Sequence, residues 1–202
     1  MSADSKLVLG SASPRRAELL RQLGLSFCLG RADVDETVLE GEPAEAYLER
    51  VTLSKLEAVA EQLPAGERRL LLVADTSVVC DERILGKPAN AVEAFDMLAL
   101  LVGREHRVMT CYRLGWFERE LQPVRCHTET TWVAFRSCEE RSLRRYAATG
   151  EGFDKAGGYA IQGIGSYLVS AIRGSYSNVV GLPTCALVQD LERLGLLAGF
   201  PA

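Results

Sequence analysis

"RLLLVADTSVVCDERILGKP", residues 69–88, decides the fold class. Leu70 to Ala74 is an unbroken apolar run, the pattern of a strand buried on both faces. Asp75-Thr76 is expected at the end of that strand, followed by a hairpin turning at Asp81-Glu82. A doubly buried strand needs helices to cover it, and helical patterns lie on both sides of it in the chain. Upstream, a helix is expected from Pro43 through Leu48, Val51, Leu56 and Val59 to about Leu63. Downstream, residues 90–101 form another, followed by Gly103.

Further out, "KLVLG" (6–10) repeats the buried-strand pattern. Ser13 then stands at a helix cap position with Pro14 at the first helical position, and Ala17, Leu19, Leu20 and Leu23 continue the helix to a stop at Gly24. Residues 28–47 read as a strand end and an acidic loop. Arg104 to Phe135 is rich in Val, Thr, Tyr, Trp and Phe, with turn signals near Gly115 and Pro123, and predicts two long antiparallel strands. Residues 137–150 predict a helix capped by Ser137 and stopped by Gly150. The segment 150–181 holds 8 of the 18 glycines and is expected to be mostly loop, with a strand near 166–172. A last helix spans about Pro183 to Leu196. The mixture predicts an α/β to α+β fold: one domain over 1–202 with a mixed, partly antiparallel sheet flanked by helices.

The chain has 202 residues, 48% of them hydrophobic and 25% charged, enough to bury a core without staples. A net charge of −4 argues against a general grip on nucleic acid or an anionic membrane, so any anion must meet a local cluster of cations. Met1 to Lys6 is polar, and neither an export signal nor a run of ~20 apolar residues is present. Six scattered cysteines without a Cys-x-x-Cys spacing argue against zinc and fit reduced thiols in the cytosol.

Four stretches could carry chemistry. In "SASPRR", Ser11, Ser13, Arg15 and Arg16 surround a helix N-terminus, whose free N–H groups and dipole suit phosphate; a capped helix with two solvated arginines is the bland alternative. Asp75, after a buried strand, could be a general base, a metal ligand or a turn cap. Asp33, Asp35 and Glu36 in "DVDET" could hold magnesium or manganese, or form a solvated loop. In "DKAGGYAIQGIG" the glycines admit close backbone approach and Gln162 could read a base edge, although neither a Walker nor a Rossmann pattern is present. Lys55 and Lys87, taken singly, read as surface lysines. His106 and His127 read as structural, and Trp116 and Trp132 as sheet packing. Together, the cations Arg15, Arg16, Lys55, Lys87 and Lys155, the carboxylates Glu36 and Asp75, and glycine-rich backbone are the parts for metal-assisted attack on a phosphoanhydride.

"SASPRR", "DVDET", "ADTSVV", "GKP", "DKAGGYAIQG" and "GSYSNVVGLP" occur in order and, from about Leu7 to Leu197, the chain resembles the Maf family of nucleoside triphosphate pyrophosphatases. The resemblance implies an α/β fold of two lobes around a cleft, related to inosine triphosphate pyrophosphatases. It also implies a cytoplasmic location, frequent dimerisation, and cleavage between the α and β phosphates with a divalent metal such as Mg2+, Mn2+ or Co2+. By position, Asp75 resembles the family's proton acceptor and Glu36 would help it hold the metal. Ser11, Arg15 and Arg16 would hold phosphates, and Lys55, Lys87 and Lys155 would neutralise the departing pyrophosphate. Arg15, Thr76 and Gln162 resemble the branch acting on dTTP and UTP, where the sister branch acting on 7-methyl-GTP carries Trp, Gln and Glu. A nucleotide-binding regulator of septum formation is the non-enzymatic alternative that the resemblance carries. Two positions depart from the family pattern: Cys111 stands where Gly is usual, and Glu151-Gly152-Phe153 replaces Glu-Pro-x, with Gly152 expected to loosen its loop.

Overall fold

A computed structural model describes residues 7–197 and 200–201. Met1 to Lys6, including the first residue expected in the N-terminal strand, lie outside the described residues. The chain runs β1 (Leu7–Gly10), α1 (Pro14–Gln22), β2 (Cys28–Gly30), α2 (Ala44–Glu61), β3 (Arg69–Cys80), β4 (Arg83–Leu85), α3 (Ala91–Leu101), β5 (Glu105–Phe117) and β6 (Leu121–Phe135). It continues with α4 (Glu140–Ala148), two short 3-10 turns (Ala156–Gly158 and Ile164–Leu168), β7 (Val169–Arg173), α5 (Tyr176–Val180) and α6 (Thr184–Arg193). Among the described residues, seven strands form one mixed sheet in the order β2-β1-β3-β5-β6-β7, with β4 added to the edge of β3. No helix among them is long and apolar enough to cross a membrane.

β3 is the axis of this sheet. Its first residues pair in parallel with β1 (Leu7↔Leu70 to Gly10↔Val73), and its last pair antiparallel with β4 (Val78↔Leu85 to Cys80↔Arg83). On its other side it pairs antiparallel with β5 from Arg69↔Phe117 to Val79↔Arg107. Between Val73 and Val78 one edge of β3 is left by β1 and not yet taken by β4. The chain departs there into α1, and a cleft opens at that gap, as it does where neighbouring strands diverge in other open sheets.

Alternation along β3 sorts its side chains between two cores. Leu71 and Val73 pack with Leu56, Val59 and Ala60 of α2, and Val79 joins Leu48, Val51, Met109 and Cys111 on that same face. On the opposite face, Leu70, Leu72 and Ala74 pack with α1 and α6, while Val78 packs with α3 and α4. That second face therefore carries two separate apolar clusters, the two lobes on either side of the cleft.

Several local expectations are corrected. β3 does not end at Asp75-Thr76 but runs through them to Cys80, because the β5 ladder continues past both residues. Gly115 and Pro123 are not turns; they pair with each other at a bulge, and the β5–β6 turn falls at residues 118–120. Pro123 is tolerated because β7 covers only Trp132 to Phe135, leaving this part of β6 as an edge. α4 starts at Glu140 instead of after Ser137: Arg136 donates to the Leu168 carbonyl at 2.9 Å and its own carbonyl accepts from Gly103, which keeps the chain extended there. α5 falls within the glycine-rich segment, where composition predicts loop; it forms because Ser175 caps it by accepting the Asn178 N–H. The hairpin does turn at Asp81-Glu82, both at positive φ (48° and 60°), as a two-residue primed turn requires.

Candidate active site

The cleft encloses about 420 Å³ at the gap in β3. Its floor is a charge cluster. Asp75 points to the α2 face of the sheet, where Lys55 from the sheet-facing stripe of α2 meets it, Nζ to Oδ1 at 2.6 Å. The same Nζ lies 2.6 Å from Glu36 Oε1, and Lys87 Nζ is 3.7 Å from Glu36 Oε2. Asp75 and Lys55 are buried (8% and 6% exposed), so Lys55 is not the surface lysine that its single-residue reading suggested. Burial opposes ionisation of Glu36, but the hydrogen bond and charge of Lys55, then Lys87 and Arg16, outweigh it and hold this carboxyl below its usual range. Asp33 also lines the cleft, whereas Asp35 turns away to accept the Thr37 N–H at 2.9 Å.

The opposite face of β3 presents Thr76, and here Arg16 of α1 is buried (9% exposed). Its guanidinium donates to three neutral acceptors: Gly181 O at 2.8 Å, Ser11 Oγ at 3.0 Å and Thr76 Oγ1 at 3.0 Å. Burial pushes the Arg16 pKa down, partly offset by Asp75. Two of its five N–H groups remain for a ligand. Ser13 holds the cap position of α1 but its hydroxyl makes no cap bond; instead the Ser13 N–H donates to Ser11 Oγ at 3.2 Å.

Arg15 and Lys155 approach from opposite walls and meet one carboxylate, Asp154. Arg15 Nη1 donates to Asp154 Oδ2 at 2.8 Å, Lys155 Nζ pairs with Asp154 Oδ1, and Lys155 also donates to the Glu151 carbonyl at 2.5 Å. Desolvation is the largest single influence on Asp154 and raises its pKa, but the hydrogen bonds and charges of Lys155 and Arg15 together outweigh it and bring the pKa down to about 2. Asp154 was not singled out in the sequence, although it adjoins Lys155 in the glycine-rich stretch. Gln162 lines the cleft and makes no hydrogen bond to another described residue, leaving its amide open.

Ser11, Arg15, Arg16, Glu36 and Lys55 thus line one cleft with Asp75, Thr76, Lys87, Lys155 and Gln162. His106 is not among the residues lining the cleft: it is buried behind the wall, bonded through Nε2 to Oη of the lining residue Tyr159 at 2.8 Å, and desolvation lowers its pKa to about 4. His127 pairs with Glu129. Gly152 does not loosen its loop. A Cβ there would stand 2.0 Å from the Gly158 carbonyl oxygen, so glycine permits a close backbone crossing beneath Lys155.

Among the described residues no three or more His, Cys, Asp and Glu side chains converge as a metal cage. Asp75 and Glu36 do converge, each placing one oxygen 2.6 Å from the same ammonium. Mg2+-like ions are commonly held by one or two carboxylates, with water and substrate phosphate completing the shell. The donor pair fits that kind of ion.

The family model described as Maf-like protein matches residues 6–194. The chain belongs to the Maf family. Among Maf relatives, a protein of Geotalea uraniireducens (strain Rf4) named dTTP/UTP pyrophosphatase is 43% identical over 98% of this chain and 99% of its own. One of the same name from Myxococcus xanthus (strain DK1622) is 47% identical over 97% and 96%. A solved nucleoside-triphosphatase / dITP/XTP pyrophosphatase from Mycobacterium abscessus covers 97% of this chain at 15% identity and TM-score 0.43, a likeness that carries no weight for the Maf assignment.

Proposed function

We propose that this Maf chain, acting as one unit over 1–202, hydrolyses dTTP and UTP to the nucleoside monophosphate and pyrophosphate. The carrying observation is the arrangement of the cleft, where a buried carboxylate–ammonium pair sits between two cationic walls. Relatives more than 40% identical over nearly the whole chain bear the corresponding name.

Asp75 is the general base. Lys55 engages Oδ1, and the other oxygen is free to accept a proton from a water that attacks the α-phosphorus. Arg16, fixed by three acceptors, is a rigid phosphate anchor whose remaining N–H groups need no reorganisation. Ser11 adds its hydroxyl beside the free N–H groups of the α1 N-terminus. Lys55, Lys87, Arg15 and Lys155 each face a carboxylate, so a polyanion recruits them by displacing internal partners; they then compensate charge on the departing pyrophosphate. Asp75 and Glu36 would hold a divalent cation (Mg2+, Mn2+ or Co2+), which supplies Lewis-acid polarisation of phosphate oxygens when bound. Gln162 offers both a donor and an acceptor to a pyrimidine edge, and Arg15 and Thr76 complete the specificity set. The reading implies a cytoplasmic enzyme without nucleic-acid or membrane partners, and the resemblance implies a homodimer.

A triphosphate panel with Mg2+ or Mn2+ tests this. dTTP and UTP are expected to turn over fastest; 7-methyl-GTP turning over fastest with dTTP inert would refute the specificity. Asp75→Asn is expected to bind dTTP and release pyrophosphate at least about 10²-fold more slowly, the scale on which general-base loss is felt.

A further inference from the structure

We propose that Glu151 is a positioning residue: its carboxylate fixes the loop that presents Gln162, and so sets pyrimidine recognition without touching the nucleotide. The proposal rests on the dTTP/UTP reading above.

Glu151 follows the Gly150 stop of α4 and lies outside the cleft lining. One carboxylate oxygen accepts the Ile164 N–H at 2.8 Å; the other accepts the Gly165 N–H at 2.8 Å and the Tyr146 hydroxyl at 2.9 Å. Tyr146 Oη in turn accepts the Ala160 N–H at 3.1 Å. The loop is therefore held at both ends, at Ala160 through Tyr146 and at Ile164-Gly165 by the carboxylate. Gln162 stands midway. At Gly163, φ is +82° and a Cβ would come 2.3 Å from Glu151 Oε1, so the close approach itself requires glycine. Burial opposes the charge on Glu151, but the two backbone N–H groups and Tyr146 overcome it and keep the carboxyl below its usual range. Charge-assisted bonds of this kind are stronger than neutral ones and hold the loop before ligand arrives. Gln162 is exposed and its amide has no partner among the described residues, so what these bonds fix is the backbone that carries it and the place from which the amide reaches into the cleft. A ligand-reading group binds better when the backbone that presents it is placed in advance.

Glu151→Gln preserves the shape but puts an NH2 against one of two N–H donors. Steady-state kinetics with dTTP and dGTP, alone and with Gln162→Ala, form a double-mutant cycle. Glu151→Gln is expected to raise KM for dTTP about tenfold, the scale of one charge-assisted bond, with kcat within about threefold. KM for dGTP stays unchanged, and in the Gln162→Ala background Glu151→Gln adds nothing. Wild-type kinetics in Glu151→Gln, or independent multiplication of the two effects, would overturn the proposal. Tyr146→Phe removes one donor to the same carboxylate and carries the same expectations if Glu151→Gln fails to fold. Wild-type protein inert towards every triphosphate would refute the functional reading; active protein with multiplicative effects refutes only the role of Glu151.

Discussion

Asp75 and Thr76 are chain neighbours that serve opposite faces of one strand. Asp75 meets Lys55 under α2, and Thr76 meets Arg16 under α1. The Thr76 side continues inward: Thr76 Oγ1 lies 2.9 Å from Thr110 Oγ1, and Thr110 donates to the Asn178 carbonyl at 3.0 Å. A carbonyl only accepts, so every proton in this chain is directed: Arg16 donates to Thr76, Thr76 to Thr110, and Thr110 to Asn178. Thr110→Val is nearly isosteric but removes both hydrogen bonds of the Thr110 hydroxyl, at about 0.5–1.5 kcal/mol each, while Thr76 Oγ1 keeps Arg16 and the Asn178 carbonyl keeps the Gly181 N–H. In a chain of this size that lowers Tm by roughly 2–10 °C in a thermal melt, with Thr110→Ser close to wild type. A valine variant that melts like wild type would break the ordered chain. The site's residue types were legible because cations, carboxylates and glycines cluster in a few short stretches. Their partners were not, since Thr110, Asp154, Tyr146 and Glu151 carry no signal beyond their identity until the sheet brings distant segments together.

At the scale of elements, patterns with strong periodicity were readable and junctions were not. The run from Leu70 to Ala74 announced β3, but a ladder supplied by β5 carried the strand through the polar Asp75-Thr76. Gly115 and Pro123 looked like turn residues and sit instead at a bulge on an edge, where a missing N–H costs little. α5 is five residues long, too short to show a period. The loop 150–165 is held by tight backbone crossings, and Gly152 tests this directly. Gly152→Ala forces a Cβ into the Gly158 carbonyl, so a loss of about 1–3 kcal/mol of stability is expected, the range for overpacking. KM for triphosphate should rise as Lys155 is displaced. An alanine variant with unchanged melting and KM would mean the crossing is relaxed in solution.

For the whole molecule, net charge hides function: a chain of charge −4 gathers its useful cations in one cleft and neutralises most of them internally until a polyanion arrives. Sensitivity to acid follows in part from His106. Its folded pKa is about 4 against 6.5 for the ordinary side chain, so the unfolded chain binds more protons between those values. Stability therefore rises with pH through that window; acidification from pH 6.5 to 4 is expected to cost about 3 kcal/mol from this residue. Denaturant melts across the window check it, and His106→Gln should flatten this part of the slope while keeping a bond to Tyr159. The most direct test of the central claim is phosphorus NMR of wild-type protein and Asp75→Asn incubated with dTTP and Mg2+. The account predicts dTMP and pyrophosphate from wild type and almost none from the variant. Release of dTDP and orthophosphate, or equal rates from the two proteins, would contradict it.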